Sequence, residues 1–383
     1  MTQHSPGDAT SGGKSCKVLV SHLGRNGGGP KFAYFLFDSL SARESLDVSY
    51  LIAAGSDQRR MFEETGRRSL LVPTYETKAQ LIVGLPRLLV TALKIRRYIQ
   101  RECIEVVINS MESIYQGLMA PVAIPRGVRY ISCVHDADDH PGDAHWLKRL
   151  ARFGERLRAD EFVAFSRTVA DTLSKRKFVG NRIIHETIHG VFGLEEDLRP
   201  RTSEPISGTL RVGFLGRLGK YKGLEILCEA IAIVRSRGLD VSASIFGAGP
   251  ESALATTPLG GNCDWHVGWI KDAEIPRILD SFDILALPYV EASQSGVLAY
   301  ALARGVPVVA MPVGGLVEQV NGAGCGVVAH SVSAEAFADA LAKLLRDGQL
   351  RQQLSRNALA AGRSIYSWER VGDDFAKWIT RSG

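Results

Sequence analysis

Three short stretches hold most of the side chains able to do chemistry. In "FLGRLGKYKGLEIL", Arg217 and Lys222 flank a turn between an apolar run ending at Gly216 and a run of helical periodicity beginning at Leu224. Two cations at a strand-to-helix turn clamp a diphosphate, arginine by binding two oxygens at once and lysine as a point charge. "CVHDADDHPG" gathers His135, Asp136, Asp138, Asp139 and His140 just beyond another apolar run. "EASQSGVLAYALARGVPVVA" opens on Glu291, passes through Gly296 and ends in a run that reads as a buried strand.

His135 stands at the end of its strand, where its ring or its carbonyl points into a cleft; the competing reading is a structural histidine with both nitrogens satisfied. Asp136 and Asp138 have the spacing of an Asp-x-Asp metal element, but a wider ligand set is missing. The expectation is therefore a solvated acidic loop and no metal.

Glycines mark the places where backbone approaches a ligand. "HLGRNGGGPK" follows the first strand, and Gly28 and Gly29 lead into a helix whose free N–H groups can meet phosphate. The stretch is neither GxGxxG nor GxxxxGK[ST], and a plain flexible turn is the alternative. "SIFGAGPE" puts Gly249 at a later strand end, where either close backbone approach or a tight turn fits. In "HVGWIKDAE" the backbone at Ile270 is a candidate contact, while Trp269 is expected in the core.

These residues follow β-rich runs that alternate with helical patterns along the chain. "KVLVSHL", "DVSYLIAAG", "SLLVPTY", "EVVINSM", "VRYISCVHD" and "EFVAFS" form one series; "RVGFLG", "VSASIFG", "DILALPY", "VPVVAM" and "GVVAH" form the other. Such alternation predicts βαβ units and parallel sheets. At 383 residues the chain exceeds what one core serves, so two Rossmann-like α/β domains facing a central cleft are expected. The domain boundaries are a loose amino-terminal tail at 1–15, a first domain at 16–195, a linker at 196–209, a second domain at 210–365, and a final helix at 366–383 crossing back to the first domain.

Composition excludes several classes. The balance of 46 basic to 41 acidic residues is too even for a nucleic-acid binder. Six scattered cysteines without CxxC pairs read as reduced core residues, favouring the cytoplasm over a disulfide frame or zinc site. No run reaches the roughly 18 apolar residues of a transmembrane helix. Two basic amphipathic segments, "HWLKRLARFGERLR" and "LIVGLPRLLVTALKIRRYIQR", leave two readings open: helices that pack on a sheet and solvate their charges, or peripheral contact with an anionic membrane face.

The second half resembles glycosyltransferase family 4, retaining enzymes of the GT-B fold, through "GRLGKYKGLEIL", "IFGAGPE", "VGWI", "LPYVEASQSGVLAYALARGVPVVAMPVGGLVEQV" and "GCGV" in the family's order. "IHGVF" and "YSWERV" also look like the family's. The resemblance implies transfer of a sugar from a UDP- or GDP-sugar to a saccharide or lipid-linked saccharide acceptor in polysaccharide or glycoconjugate assembly. It implies no metal and no cofactor beyond the nucleotide-sugar substrate. Carried over by position, Arg217 and Lys222 hold the diphosphate with the backbone of Ser295, Gly296 and Val297. Glu291 and Gln294 meet the sugar, and His135 faces it as a catalytic group beside Glu291. Gly249 and Ile270 lie near the nucleoside. The family's E-x7-E pair is broken, because its second position falls on Tyr300, as in a branch with an "SQSG" segment. Tyr300 or Glu318 is then the candidate for the nucleoside contact. A nucleotide-sugar epimerase or hydrolase of the same fold, and a non-catalytic nucleotide-sugar-binding module, are the alternatives.

Overall fold

The structure is a computed structural model that describes residues 15–75, 84–137, 146–193, 201 and 209–381. The expected tail and linker lie almost wholly outside these residues, as do Asp138, Asp139 and His140.

The first sheet contains β1 (Cys16–His22), β2 (Leu46–Ala53), β3 (Ser69–Val72), β4 (Val106–Asn109), β5 (Arg129–Val134), β6 (Glu161–Ala164) and β7 (Ile184–Glu186), in the order β3-β2-β1-β4-β5-β6-β7. All its pairings are parallel. Strand β7 was not foreseen, being three residues long with little apolar signal. The second sheet contains β8 (Leu210–Leu215), β9 (Val241–Gly247), β10 (Asp264–Val267), β11 (Ile284–Leu287), β12 (Val308–Ala310) and β13 (Gly326–Val328), in the order β10-β9-β8-β11-β12-β13 and again parallel. Helices cover both faces of each sheet, so central strands are apolar on both sides: Val18, Leu19 and Val20 are all buried. Strand order reverses between β1 and β4 and between β8 and β11, and loops part there to leave a crevice.

In the first domain α1 (Gly28–Ser41) and α2 (Arg59–Glu64) follow β1 and β2, while α3 (Leu85–Arg101), α4 (Ile114–Ala123), α5 (Trp146–Arg158) and α6 (Arg167–Ser174) follow β3 to β6. The second domain carries α7 (Leu224–Ser236), α8 (Ile275–Asp280), α9 (Gly296–Arg304), α10 (Gly314–Ala323), α11 (Ala334–Arg346), α12 (Gly348–Arg363) and α13 (Trp368–Thr380). Helix α7 buries Leu224, Leu227, Ile231 and Val234 on one side and stops before Gly238, whose φ of 76° is left-handed.

Helix α13 lies against the first domain. Ser39 Oγ donates to the Trp368 carbonyl at 2.6 Å, Trp368 Nε1 donates to the Val191 carbonyl at 2.6 Å, and Arg129 donates to the carbonyls of Trp378 and Ile379. Arg129 also forks onto Glu161, which His185 approaches from its other side.

Helix α5 corrects the expectation of solvated charges. Its buried side carries Leu147, Ala151, Arg152, Glu155 and Arg158, while Trp146, Leu150, Phe153 and Leu157 are 67, 48, 64 and 60% exposed. Partners inside the domain explain the inversion. Arg152 pairs with Glu112 at 2.9 Å, and Arg158 donates to the carbonyls of Ile124, Pro125 and Val128. Glu155 Oε1 accepts from Asn109, Tyr130 and Ser132. The helix also crosses α4 where Gly117 and Gly154 meet: a Cβ on either would stand 2.2 Å from the other helix's backbone. No helix among the described residues is long and apolar enough to cross a membrane.

Candidate active site

At the carboxyl end of β8 the chain turns through Gly216, exposed Arg217 and a short 3-10 turn, Lys220–Lys222. Gly223 then takes φ 63°, and a Cβ there would lie 2.0 Å from the Pro288 carbonyl, so glycine is required for the turn to close on the loop after β11. The closure lodges Lys222 Nζ 3.5 Å from the centroid of the Tyr289 ring. Burial pulls the Lys222 ammonium down to about 8; Arg217 adds to the pull, and Asp136 from the first domain opposes it. Two cations and an acid therefore share one crevice.

The loop after β11 supplies Glu291, exposed at the mouth, and then the amino terminus of α9. Ser295 is buried, caps the helix by accepting from the Leu298 N–H, and gives its own N–H to Gln319 Oε1 at 2.8 Å. The Ser295 N–H, expected to meet a ligand, is thus engaged within the second domain in this structure. Gly296 and Val297 are the first residues of the helix, and their N–H groups have no intrahelical acceptor.

His135 is buried just past β5, its ring stacked 4.4 Å from Phe165. Nε2 donates to the Ser110 carbonyl at 2.9 Å, and Nδ1 accepts from Gln294 Nε2 across the cleft at 2.6 Å. Burial lowers the ring to about 4, so it is neutral and holds a single tautomer. Gln294 Oε1 is buried without a protein partner. Both ring nitrogens of His135 are therefore satisfied, one of them by a residue of the opposing domain.

Across the crevice α1 begins at Gly28 behind Gly27, whose φ is 85°. A Cβ on Gly29 would come within 2.7 Å of the His22 ring, so that glycine serves packing; Gly28 faces open space. His22 and His189 are two further buried histidines, lowered by burial to about 4 and about 3. They were missed because a lone histidine in an apolar run gives no signal of its surroundings.

The nucleoside candidates divide. Gly249, at φ 153°, packs with its would-be Cβ 2.3 Å from the Leu218 carbonyl, which serves internal packing. Ile270 is half-buried beyond β10, and Trp269, expected in the core, is 66% exposed because it lies past the end of an edge strand. Glu318 is engaged with the first domain in this structure. Its carboxylate accepts from the N–H groups of Arg167 and Thr168 and from the Thr168 hydroxyl at 2.7–3.0 Å, capping α6 of the opposite domain. Tyr300 is buried, and its hydroxyl accepts from Lys31 Nζ at 2.7 Å. Lys31 also lies 3.7 Å from Asp272, which Gln58 approaches at 3.2 Å. Lys31 was not among the sequence candidates.

Among the described residues no group of three or more His, Cys, Asp or Glu could hold a metal ion.

Two parallel Rossmann-like sheets with their carboxyl ends at a shared cleft define the GT-B class. Residues 27–185 match the family model "Glycosyl transferase 4-like domain" and residues 209–347 match "Glycosyl transferases group 1", so the chain is built of two glycosyl transferase domains. It is similar to a 2-deoxystreptamine glucosyltransferase of Streptomyces kanamyceticus, with 32% identity over 33% of this chain and 34% of that one. It is also 32% identical to a D-inositol 3-phosphate glycosyltransferase of Corynebacterium glutamicum, over 41% of this chain and 40% of the relative. The matches thus span between a third and two fifths of these curated relatives. Anabaena HepE, solved in complex with UDP and glucose, superposes with a TM-score of 0.73 at 16% identity, covering 95% of this chain and 99% of that one, which establishes the fold.

Proposed function

We propose that the protein is a retaining, metal-independent glycosyltransferase that moves a sugar from a nucleotide diphosphate sugar to a saccharide or lipid-linked saccharide. The observation that carries this reading is Lys222, half-buried against Tyr289 beside Arg217 at the carboxyl end of β8, opposite the first domain. A cation desolvated in this way gains most from a dianionic partner, and its charge grows in value as the leaving diphosphate becomes more negative. The N–H groups of Gly296 and Val297 add the amino end of α9 to the same anion site.

His135 uses both ring nitrogens within the protein, so its carbonyl meets the positive charge that develops at the sugar carbon, while Gln294 fixes its position. Glu291, at the mouth, accepts from sugar hydroxyls. The ribose is gripped differently from an E-x7-E pair, because Tyr300 at the second position is joined to Lys31. The complexes of HepE with UDP and with UDP-glucose support a uridine donor.

A thermal-shift panel of UDP-, GDP-, ADP- and dTDP-sugars tests the reading, since a ligand that binds only the folded state raises apparent stability. One sugar nucleotide is expected to stabilise the protein. Arg217→Ala and Glu291→Ala are expected to slow transfer of its sugar; unchanged transfer in both variants refutes the assignment.

A further inference from the structure

Helix α5 is turned inside out. At about 100° per residue, Trp146, Leu150, Phe153 and Leu157 fall within an arc of roughly 60°, and it is this arc that faces solvent. The opposite side, which covers the sheet, holds Arg152, Glu155 and Arg158 with partners of their own. A helix packed only to cover a sheet would place its polar side outward. With aromatic side chains exposing up to about 150–250 Å² each, the stripe amounts to several hundred Å², the size at which an exposed apolar patch marks an interaction site.

Cations border the stripe. Exposed Arg149 lies beside it on α5, and α3, in the same helical layer, exposes Leu89, Val90 and Leu93 with Lys94 and Arg97. The layer is continuous: α4 sits between these helices, bound to α3 by Arg96 donating to the Val122 carbonyl at 3.1 Å and to α5 at the Gly117–Gly154 crossing. An apolar stripe with a tryptophan at one end and a basic border matches a bilayer surface of anionic lipids, where rings enter the headgroup boundary and cations meet phosphates.

We propose that this face, centred on α5, docks the protein on an anionic membrane. Trp146 opens the helix at the end nearest the carboxyl edge of β5, so docking brings the bilayer beside the mouth of the cleft. The link to catalysis rests on the reading of the protein as a transferase with a lipid-linked acceptor.

The test is co-sedimentation of the full chain with vesicles of equal parts phosphatidylglycerol and phosphatidylcholine, against phosphatidylcholine alone. Binding to the anionic vesicles is expected, weakened by salt and reduced about tenfold or more in Phe153→Ser/Leu157→Ser and in Arg149→Glu/Lys94→Glu. These side chains are exposed, and an unchanged thermal shift with the stabilising sugar nucleotide verifies fold and donor site. Absence of vesicle binding, or equal binding to both compositions, overturns the proposal, as does a concentration-dependent dimer abolished by the Phe153 and Leu157 changes. Vesicle binding by a protein that no sugar nucleotide stabilises would leave the docking face standing and remove the transferase reading.

Discussion

The role proposed for Lys222 gives donor binding a pH dependence that an ordinary lysine would not. Its ammonium is held at about 8 in the free protein, against an ordinary 10.5. A bound diphosphate favours the charged form and lifts the value again. Linkage then fixes the sign: affinity is full below pH 7 and falls as pH rises through 8, because each binding event must first protonate the lysine. At pH 9 only about one molecule in eleven carries the charge, so affinity should fall about tenfold between pH 7 and 9, or ~1.4 kcal/mol. Neighbouring groups stay silent in this window: burial holds His22 and His135 near about 4 and His189 near about 3, and pushes Tyr289 up to about 12. Isothermal titration with the sugar nucleotide selected by thermal shift measures the slope. Lys222→Arg, always charged, should bind without the fall. A flat wild-type profile, or the same fall in Lys222→Arg, refutes the assignment of Lys222 to the diphosphate. The unliganded protein should show the opposite trend, gaining stability from about pH 8 to 10.5, where the unfolded lysine still holds its proton.

Other perturbations probe the surrounding frame. Gln294→Leu leaves His135 Nδ1 buried without its donor, and a loss of about 1–3 kcal/mol in positioning should appear as a fall in kcat of roughly tenfold or more; an unaltered kcat would detach His135 from the reaction. Gly223→Ala places a Cβ against the Pro288 carbonyl in a left-handed residue, so thermal denaturation should show a loss of about 2 kcal/mol or more together with weaker donor binding. Burial pushes the Glu161 carboxyl up, but hydrogen bonds from His185 and Arg129 prevail and hold it at about 2 against an ordinary 4.5. Its contribution of up to ~3 kcal/mol is present above pH 4.5 and lost as pH falls toward 2. Acid titration followed by circular dichroism should therefore show a transition over that range that Glu161→Gln displaces.

Contacts across the cleft set how the two halves meet. Gln294 reaches His135, Glu318 caps α6, Lys31 joins Tyr300, and Ser166 Oγ donates to the Ser293 carbonyl at 3.1 Å. In each, at least one partner belongs to the loops and helix ends that gather around the donor position. On the proposed reading, a donor entering there works within, or displaces, these bonds, which would couple its binding to domain geometry.

Local pattern determined much of this protein. Alternation of apolar runs with 3.6-residue periodicity is written along the chain, and it fixed two parallel α/β domains, because each run's burial depends chiefly on its own residues. The strand-end positions of Arg217, Lys222, His135 and Glu291 follow from the same pattern, since each stands just beyond an apolar run. Which partners those side chains meet depends on residues far away in sequence, and only the tertiary structure decided it. Lys31 and Tyr300 lie 269 positions apart, and Glu318 finds its acceptor role 150 positions upstream at Thr168. The same holds for α5: its sequence shows an apolar and a basic stripe, and half-buried Glu112 and the carbonyls after α4 draw Arg152 and Arg158 into the interior while Arg149 stays exposed. Periodicity specifies which residues share a face; the partners opposite determine which face turns inward.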